Sequence, residues 1–537
     1  MRAPTLPFVA FRDRANPVLV RELRQSFRGK QFRIVFALAS TFGLVASVVA
    51  MLAESDPAGV GRGLFAALGI ALSIACLVLV PVGAFQSLSS EWEEGTWDLL
   101  EMTSLRPWQI VLGKLLSAGL QCLLYFAGVA PFLVFCFVLR GVGLIPILYL
   151  MGHLLATALA ATAVAIALSS LTRQRVLRGV LLGLLVILLV PMSTGVGGLM
   201  LNLMVFSGRG ALVGAPSMWY VIASWVTTLG VFTAIAYCVA CARLSHPEEN
   251  RSTPLRIVAS AALLLLIGSQ LVGTTMSTGG GTEVGIGICV WAVIAGCFGA
   301  LFASEREAFG RRTRLQVPAK SLRARLAAAW LPGGGRGVLW LFAHLALIVA
   351  VAPLVLAVSS SDSIAAAYGM LLAAWIPGIA SAGVVDSIWG GGVNVPTSSG
   401  AEWPVAIAIV ACYLVFYVGV ATSALAWIRS NSAPLRVARA LAPFVLFVVT
   451  ALVPGIFGVM LSDADLMSLS HPFNPIAVVA GVMTDRDVSD WRWYPPVLAL
   501  VGLALALPRC RRAFAEVAQA SIARRERDRI QRPMTAG

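Results

Sequence analysis

The sequence predicts an all-α, polytopic membrane protein of about 12 transmembrane helices, with short interfacial helices at its polar borders. Three observations carry that expectation. Hydrophobic residues make up 58% of the chain and charged residues only 12%, whereas a soluble domain is roughly a quarter charged. Apolar stretches long enough to cross a bilayer, ~20 residues each, recur along the whole chain. The basic residues behind a net charge of +15 are mostly arginines set in short segments between those stretches, the pattern of loops held on the cytoplasmic side of an anionic leaflet.

The same pattern speaks against nucleic acid as a partner, because no basic stripe sits on a stretch able to fold in water. Of the nine cysteines, Cys76, Cys122, Cys136, Cys238, Cys241, Cys289, Cys297 and Cys412 lie in or at the ends of apolar runs, where cysteine is a small hydrophobe. Cys238 and Cys241 form a CxxC without a second ligand pair, so no metal and no disulfide framework is expected. The basic N-terminal segment lacks the apolar core of a cleavable signal. The first span is expected to do the targeting.

Asn16 to Lys30 predict an amphipathic helix. Pro17 suits a first helical turn, Leu19, Leu23 and Phe27 recur every four residues, and Arg21, Arg24 and Arg28 take another face. Such a helix lies in the membrane interface. Spans come next at about 33–53, 64–88, 110–139, 146–171, 178–203 and 217–242. The Arg173–Arg178 and Arg243–Arg256 loops between spans are basic and so belong inside.

The second half predicts spans at about 255–275, 284–303, 338–358, 403–428, 436–461 and 493–508, a basic loop over 305–336 and a basic tail over 509–537. In that loop Leu322, Leu326 and Trp330 share a helical face against Lys320, Arg323 and Arg325. Asp463, Asp465, Asp485, Asp487 and Asp490 mark the 462–492 segment as an outer loop. A full crossing at 364–385 would reverse the charge bias of everything after it, so that stretch, broken by Pro377 and Gly378, is expected to re-enter. Both termini then lie inside. Ser304, Glu305 and Glu307 after the eighth span echo Ser90, Glu91 and Glu93 after the second, so the halves 1–245 and 246–537 read as a possible degenerate repeat.

The stretch from Ser87 to Leu116 is too charged to cross a bilayer and too short to fold alone. Glu91, Glu93, Glu94, Asp98 and Glu101 gather negative charge where positive charge is the norm. Ser90 suits the cap of a short helix whose first turn is acidic, and Trp97, Leu99 and Leu100 offer bulky apolar contacts. Tied at both ends to spans, such a helix can carry motion into the bilayer.

These residues resemble the ABC type-2 export permease family. Asn16, Pro17, Glu22, Leu23 and Arg24 match the Asn-Pro and Glu-Leu-Arg of its elbow helix. Glu91, Glu93, Gly95, Thr96, Asp98, Leu100, Thr103, Leu105, Gly113 and Lys114 match its E-x-E-x-G-T-x-[DE]-x-L, T-x-L and G-K pattern. The likeness covers residues 10–245 well and the second half loosely. It implies that 1–245 is a six-span permease unit with elbow helix 16–30. A coupling helix over about 90–100 would contact a separate ABC-type ATPase through Glu91, Glu93, Glu94, Gly95, Thr96, Trp97, Asp98 and Leu100. It also implies an inner-membrane location and a homodimer, or a pseudo-dimer of the two halves. No G-x-x-x-x-G-K-[ST] occurs, so ATP and magnesium are expected on the partner subunit and no cofactor on this chain.

Two other classes compete with the permease. An ion-coupled secondary transporter needs midplane carboxylates or broken helices, and only 364–385 reads as broken. A membrane-embedded enzyme needs ionisable groups at working spacings, yet His153 and His344 stand without an acidic partner or an H-E-x-x-H.

Overall fold

The computed structural model is all-helical among the residues it describes. These are 16–52, 57–95, 105–172, 174–207, 216–246, 249–276, 281–305, 321–360, 403–424 and 494–531, with isolated positions between them such as Trp97, Met102 and Val317. The chain divides into two compact units, Met1–His246 and Pro247–Gly537.

In the first unit the short helix α1 (Pro17–Arg28) precedes α2 (Lys30–Leu52), α3 (Pro57–Glu93), α4 (Pro107–Val138), α5 (Leu144–Ser170), α6 (Arg175–Ser207) and α7 (Pro216–Leu244). Its core is built on helical spacing: Leu64, Phe65, Leu68 and Leu72 of α3 meet Cys122, Phe126, Val129 and Leu133 of α4 and Leu150 and Leu154 of α5. Helix α2 has the opposite character. It exposes Ile34, Leu38, Val45, Val48, Val49 and Leu52, an apolar surface that water would punish and that lipid tails match.

The second unit holds α8 (Ser252–Met276), α9 (Gly281–Ala303), α10 (Ser321–Leu326) with a 3-10 turn over Ala327–Trp330, α11 (Gly334–Ser360), α12 (Trp403–Ala424) and α13 (Tyr494–Gln531). Phe302 meets the fully buried Trp340 edge-on, with centroids 5.0 Å apart. Gly337 at the start of α11 lies against the end of α9, and Trp403 at the start of α12 lies against the start of α9. The end of α11 and the start of α12 therefore share one end of the unit. The expected re-entrant stretch 364–385 between them lies outside the described residues.

Ten helices among the described residues are long and apolar enough to cross a membrane, the architecture of a polytopic helical membrane protein. Six belong to the first unit and four to the second. The span expected at 436–461 lies outside the described residues apart from isolated positions. The one expected at 493–508 is helical but is not among the ten, because α13 runs unbroken from Tyr494 into the arginine-rich tail. Its apolar part, Tyr494 to Leu507, reaches only about 21 Å at 1.5 Å per residue, short of a ~30 Å hydrocarbon core.

Ser260 is a polar hub in the second unit. Its hydroxyl accepts both Trp330 Nε1 and Trp340 Nε1 at 2.9 Å and donates to the Arg256 carbonyl at 2.8 Å. Replacing Ser260 with Ala orphans two indole N–H groups, each costing about 1–3 kcal/mol when buried. Thermal unfolding of the purified protein in detergent, followed by tryptophan emission, is expected to show a clear fall in Tm for Ser260→Ala and little change for the surface control Arg323→Ala.

Candidate functional site

The motif residues of the first unit converge at one end of it, on the foot of α3. Asn16 explains why an Asn-Pro pair opens α1: its Oδ1 accepts the Val18 N–H at 3.0 Å, capping the helix, while its Nδ2 donates to the Gln109 carbonyl of α4 at 2.6 Å. Pro17 fills the first turn, where no backbone donor is needed. Val18 packs with Ile110 and Val111 of α4. A Cβ on Gly113 would stand 2.9 Å from Val18 Cβ, so the glycine of the Gly-Lys pair is what lets the two helices approach.

Lys114 is the centre of the site. It is 3% exposed, and its ammonium lies 2.8 Å from Glu22 Oε1, 2.7 Å from Ser87 Oγ and 3.2 Å from Glu91 Oε1, one acceptor for each N–H. Ser87 in turn donates to Glu22 Oε2 at 3.0 Å, and Arg21 Nη2 reaches Glu91 Oε1 at 3.3 Å. Two carboxylates are thus matched by two cations, as a buried cluster requires. A neighbouring clasp joins α6: Arg178 donates to the Ser89 carbonyl at 2.7 Å and pairs with Glu93 at 3.3 Å. Through these bonds α1, α4 and α6 all hold the end of α3.

Helix α3 stops just beyond. Glu94 closes it through Ser90, and Gly95 takes a left-handed φ of 69°, the usual glycine stop after a helix. Glu93, Glu94 and Gly95 are exposed and Met102 is 85% exposed, whereas Trp97 folds back, is buried, and stacks on Trp92 at 4.5 Å. Beside the network a cavity of about 230 Å³ opens between α1, α3 and α4, bordered by Glu22, Ser26, Lys114, Ser117, Gln121 and Tyr125.

The sequence pattern and this geometry differ in three respects. Glu91 and Trp97, expected to face a partner, are turned inward, where Glu91 supplies the third acceptor to the Lys114 ammonium and Trp97 stacks on Trp92. Glu22 lies on the buried face of α1, so the helix seats Val18 and Glu22 in the protein while Leu23 is half-buried and Phe27 and Arg24 are exposed. Arg178, expected only as a marker of loop charge, is buried and bonded. Thr96, Asp98 and Leu100 lie outside the described residues. Lys114 and Ser87 were within the motif stretch but not among the expected site residues. The signal for Lys114 was a lysine eight positions into an apolar helix, where an ionisable group needs a partner.

Among the described residues no group of three or more His, Cys, Asp or Glu is placed to hold a metal ion. Comparison of the chain with family models, curated proteins and solved structures gives no match.

Removing the cation alone leaves Glu22 and Glu91 facing each other, a loss of about 3–5 kcal/mol for a broken buried pair. Lys114→Met is therefore expected to lower the unfolding temperature sharply or prevent accumulation in membranes. The triple variant Lys114→Met, Glu22→Gln, Glu91→Gln is expected to recover much of the loss, measured by fluorescence-detected size exclusion after heating.

Proposed function

We propose that this chain is the membrane-spanning permease subunit of an ATP-driven ABC exporter of the type-2 kind, with ATP and magnesium held by a separate ATPase subunit. The observation that carries this reading is the exposed acidic turn Glu93-Glu94-Gly95, rooted in a buried charge network that ties four helices together. A surface patch so anchored is a lever. A partner pressing on the turn displaces the foot of α3, and because Lys114 and Arg178 hold α1, α4 and α6 to that foot, the displacement passes to all of them rather than dissipating in a loop. The cavity beside the network leaves α1 and α3 room to shift against each other.

Each part then has a task. Helix α1 is the elbow lying along the inner leaflet, with Phe27 toward lipid and Arg24 toward headgroups. The foot of α3 with its turn is the coupling element seated in the ATPase. The basic stretches at Arg175–Arg178 and Arg251–Arg256 put that end of the chain on the cytoplasmic side of the inner membrane by the positive-inside rule, and both termini with it. Transport is then the rocking of spans between inward and outward openings as the ATPase closes and reopens.

The network also dictates how to test the coupling. Reversing Glu91 would break the fold and reversing Glu93 would set a cation against the buried Arg178, so the informative change is Glu94→Arg, at an exposed side chain where a substitution costs about 0.5 kcal/mol or less. Purified from its native membrane, the wild-type chain is expected to bring down an ATPase subunit whose hydrolysis it stimulates. The Glu94→Arg variant should abolish stimulation at an unchanged Tm. Gradient-driven flux through the chain alone in proteoliposomes, with no ATPase present, would replace this reading by a secondary transporter.

A further inference from the structure

The two units repeat one packing scheme. In the first, α2 and α3 pack on each other and on α4, α3 and α4 pack on α5, and α5 packs along α7, which also touches α4. In the second, α8 and α9 pack on each other and on α11, α9 and α11 pack on α12, and α12 packs along α13, which also touches α11. Chain order and adjacency therefore coincide helix for helix, pairing α2 with α8, α3 with α9, α4 with α11, α5 with α12 and α7 with α13. In both units the carboxylate at the foot of the second helix meets an arginine, from α1 in the first unit (Glu91 with Arg21 at 3.3 Å) and from α8 in the second (Glu305 with Arg256 at 2.8 Å). Hydropathy makes helices in any order. It does not dictate the same neighbours twice.

Beyond that carboxylate the two units diverge. In the first unit the turn after Glu91 projects, with Glu93, Glu94 and Met102 exposed, and α7 ends at Leu244 without covering it. In the second unit the 329–333 turn is drawn onto that carboxylate. The fully buried Arg256 donates to the carbonyls of Ala329, Leu331 and Gly333, and the Gly333 N–H returns to Glu305 at 3.0 Å. The C-terminal half of α13 then lies over it. Val517 packs with Val317, Ala324, Ala328 and Leu331, Arg524 donates to the Val317 carbonyl at 2.7 Å, and Glu516 pairs with the buried Arg336 at 2.9 Å.

We infer that the chain is an unequal tandem duplicate: the first half presents an ATPase-docking turn, and in the second half the inner face of the 321–331 segment, which follows the corresponding carboxylate, is covered by the chain's own C-terminal helix. This rests on the permease reading above. The motor accordingly engages the chain through Glu93, Glu94 and Met102, while the 321–331 segment takes no part until α13 is displaced.

The test uses the full-length chain with the ATPase subunit that co-purifies with it, and a photo-crosslinking amino acid placed at Met102 or at Leu322, both exposed. Expected is a cross-link to the ATPase from Met102 and none from Leu322. Expected next is a gain at Leu322 in a chain ending at Arg512. The same gain is expected in the full-length variant Glu516→Lys with Arg524→Glu, which keeps the helix and serves if truncation prevents folding. Cross-linking from Leu322 in the unaltered chain as strong as from Met102 would overturn the inference while leaving the permease reading standing. So would silence at Leu322 in both uncovered variants. An absence of cross-links from either position in every form, with the chain folded and the ATPase present, would remove the permease reading and this inference with it.

Discussion

An ammonium group removed from water has to be given acceptors in exchange, and in the first unit that requirement organises everything around it. Lys114 sits eight residues into an apolar helix and meets a carboxylate from α1, a hydroxyl from α3 and a second carboxylate from the foot of α3. Ion clusters of this sort contribute little net stability against an apolar replacement, but they punish misalignment heavily. Helix α1 illustrates the effect. Its apolar stripe alone would let it roll on the bundle; Glu22 permits one seating.

The second unit solves the same problem with a different cation. Arg256 has a planar fork of five donors, and it directs them to a carboxylate and three backbone carbonyls of the 329–333 turn. A lysine, as a compact point charge, gathers side chains from separate helices; an arginine can brace a stretch of main chain. The chain is far richer in arginine than in lysine, and the central buried cation of the first unit is a lysine at a position where three acceptors converge on a single atom.

Much of this was legible in the sequence, and the boundary of legibility is physical. Ten spans could be located because their signal is local: about twenty apolar residues in a row. The proline at the head of α1 is local too, whereas the stop at Gly95 falls inside the 90–100 stretch expected to be one helix. What local pattern did not show was the inward turn of Glu91 and Trp97 and the burial of Glu22 and Arg178. Glu22 and Lys114 are 92 residues apart, and nothing in either neighbourhood announces the other. Periodicity sorted α1 into an apolar and a basic face but was silent on the third face, where a glutamate is the buried residue. At α13 the apolar run ended where expected while the helix did not, because helix propensity carries on through an Ala- and Arg-rich tail long after hydropathy has stopped.

Midway along α3 the backbone passes through a π-helical turn, Ala75–Leu79. A π turn holds one residue more than the α-helical turn it replaces, and each residue advances the helix by about 100°. The two ends of α3 therefore have independent azimuths: the half before the bulge aims Phe65, Leu68 and Leu72 into the core, and the half after it aims Ser87 and Glu91 at the ammonium. A strictly regular helix of this sequence would satisfy one of those alignments and spoil the other. The bulge acts as a phase shifter. In this span a single inserted residue, rather than any particular side chain, brings the hydrophobic register and the electrostatic register into agreement.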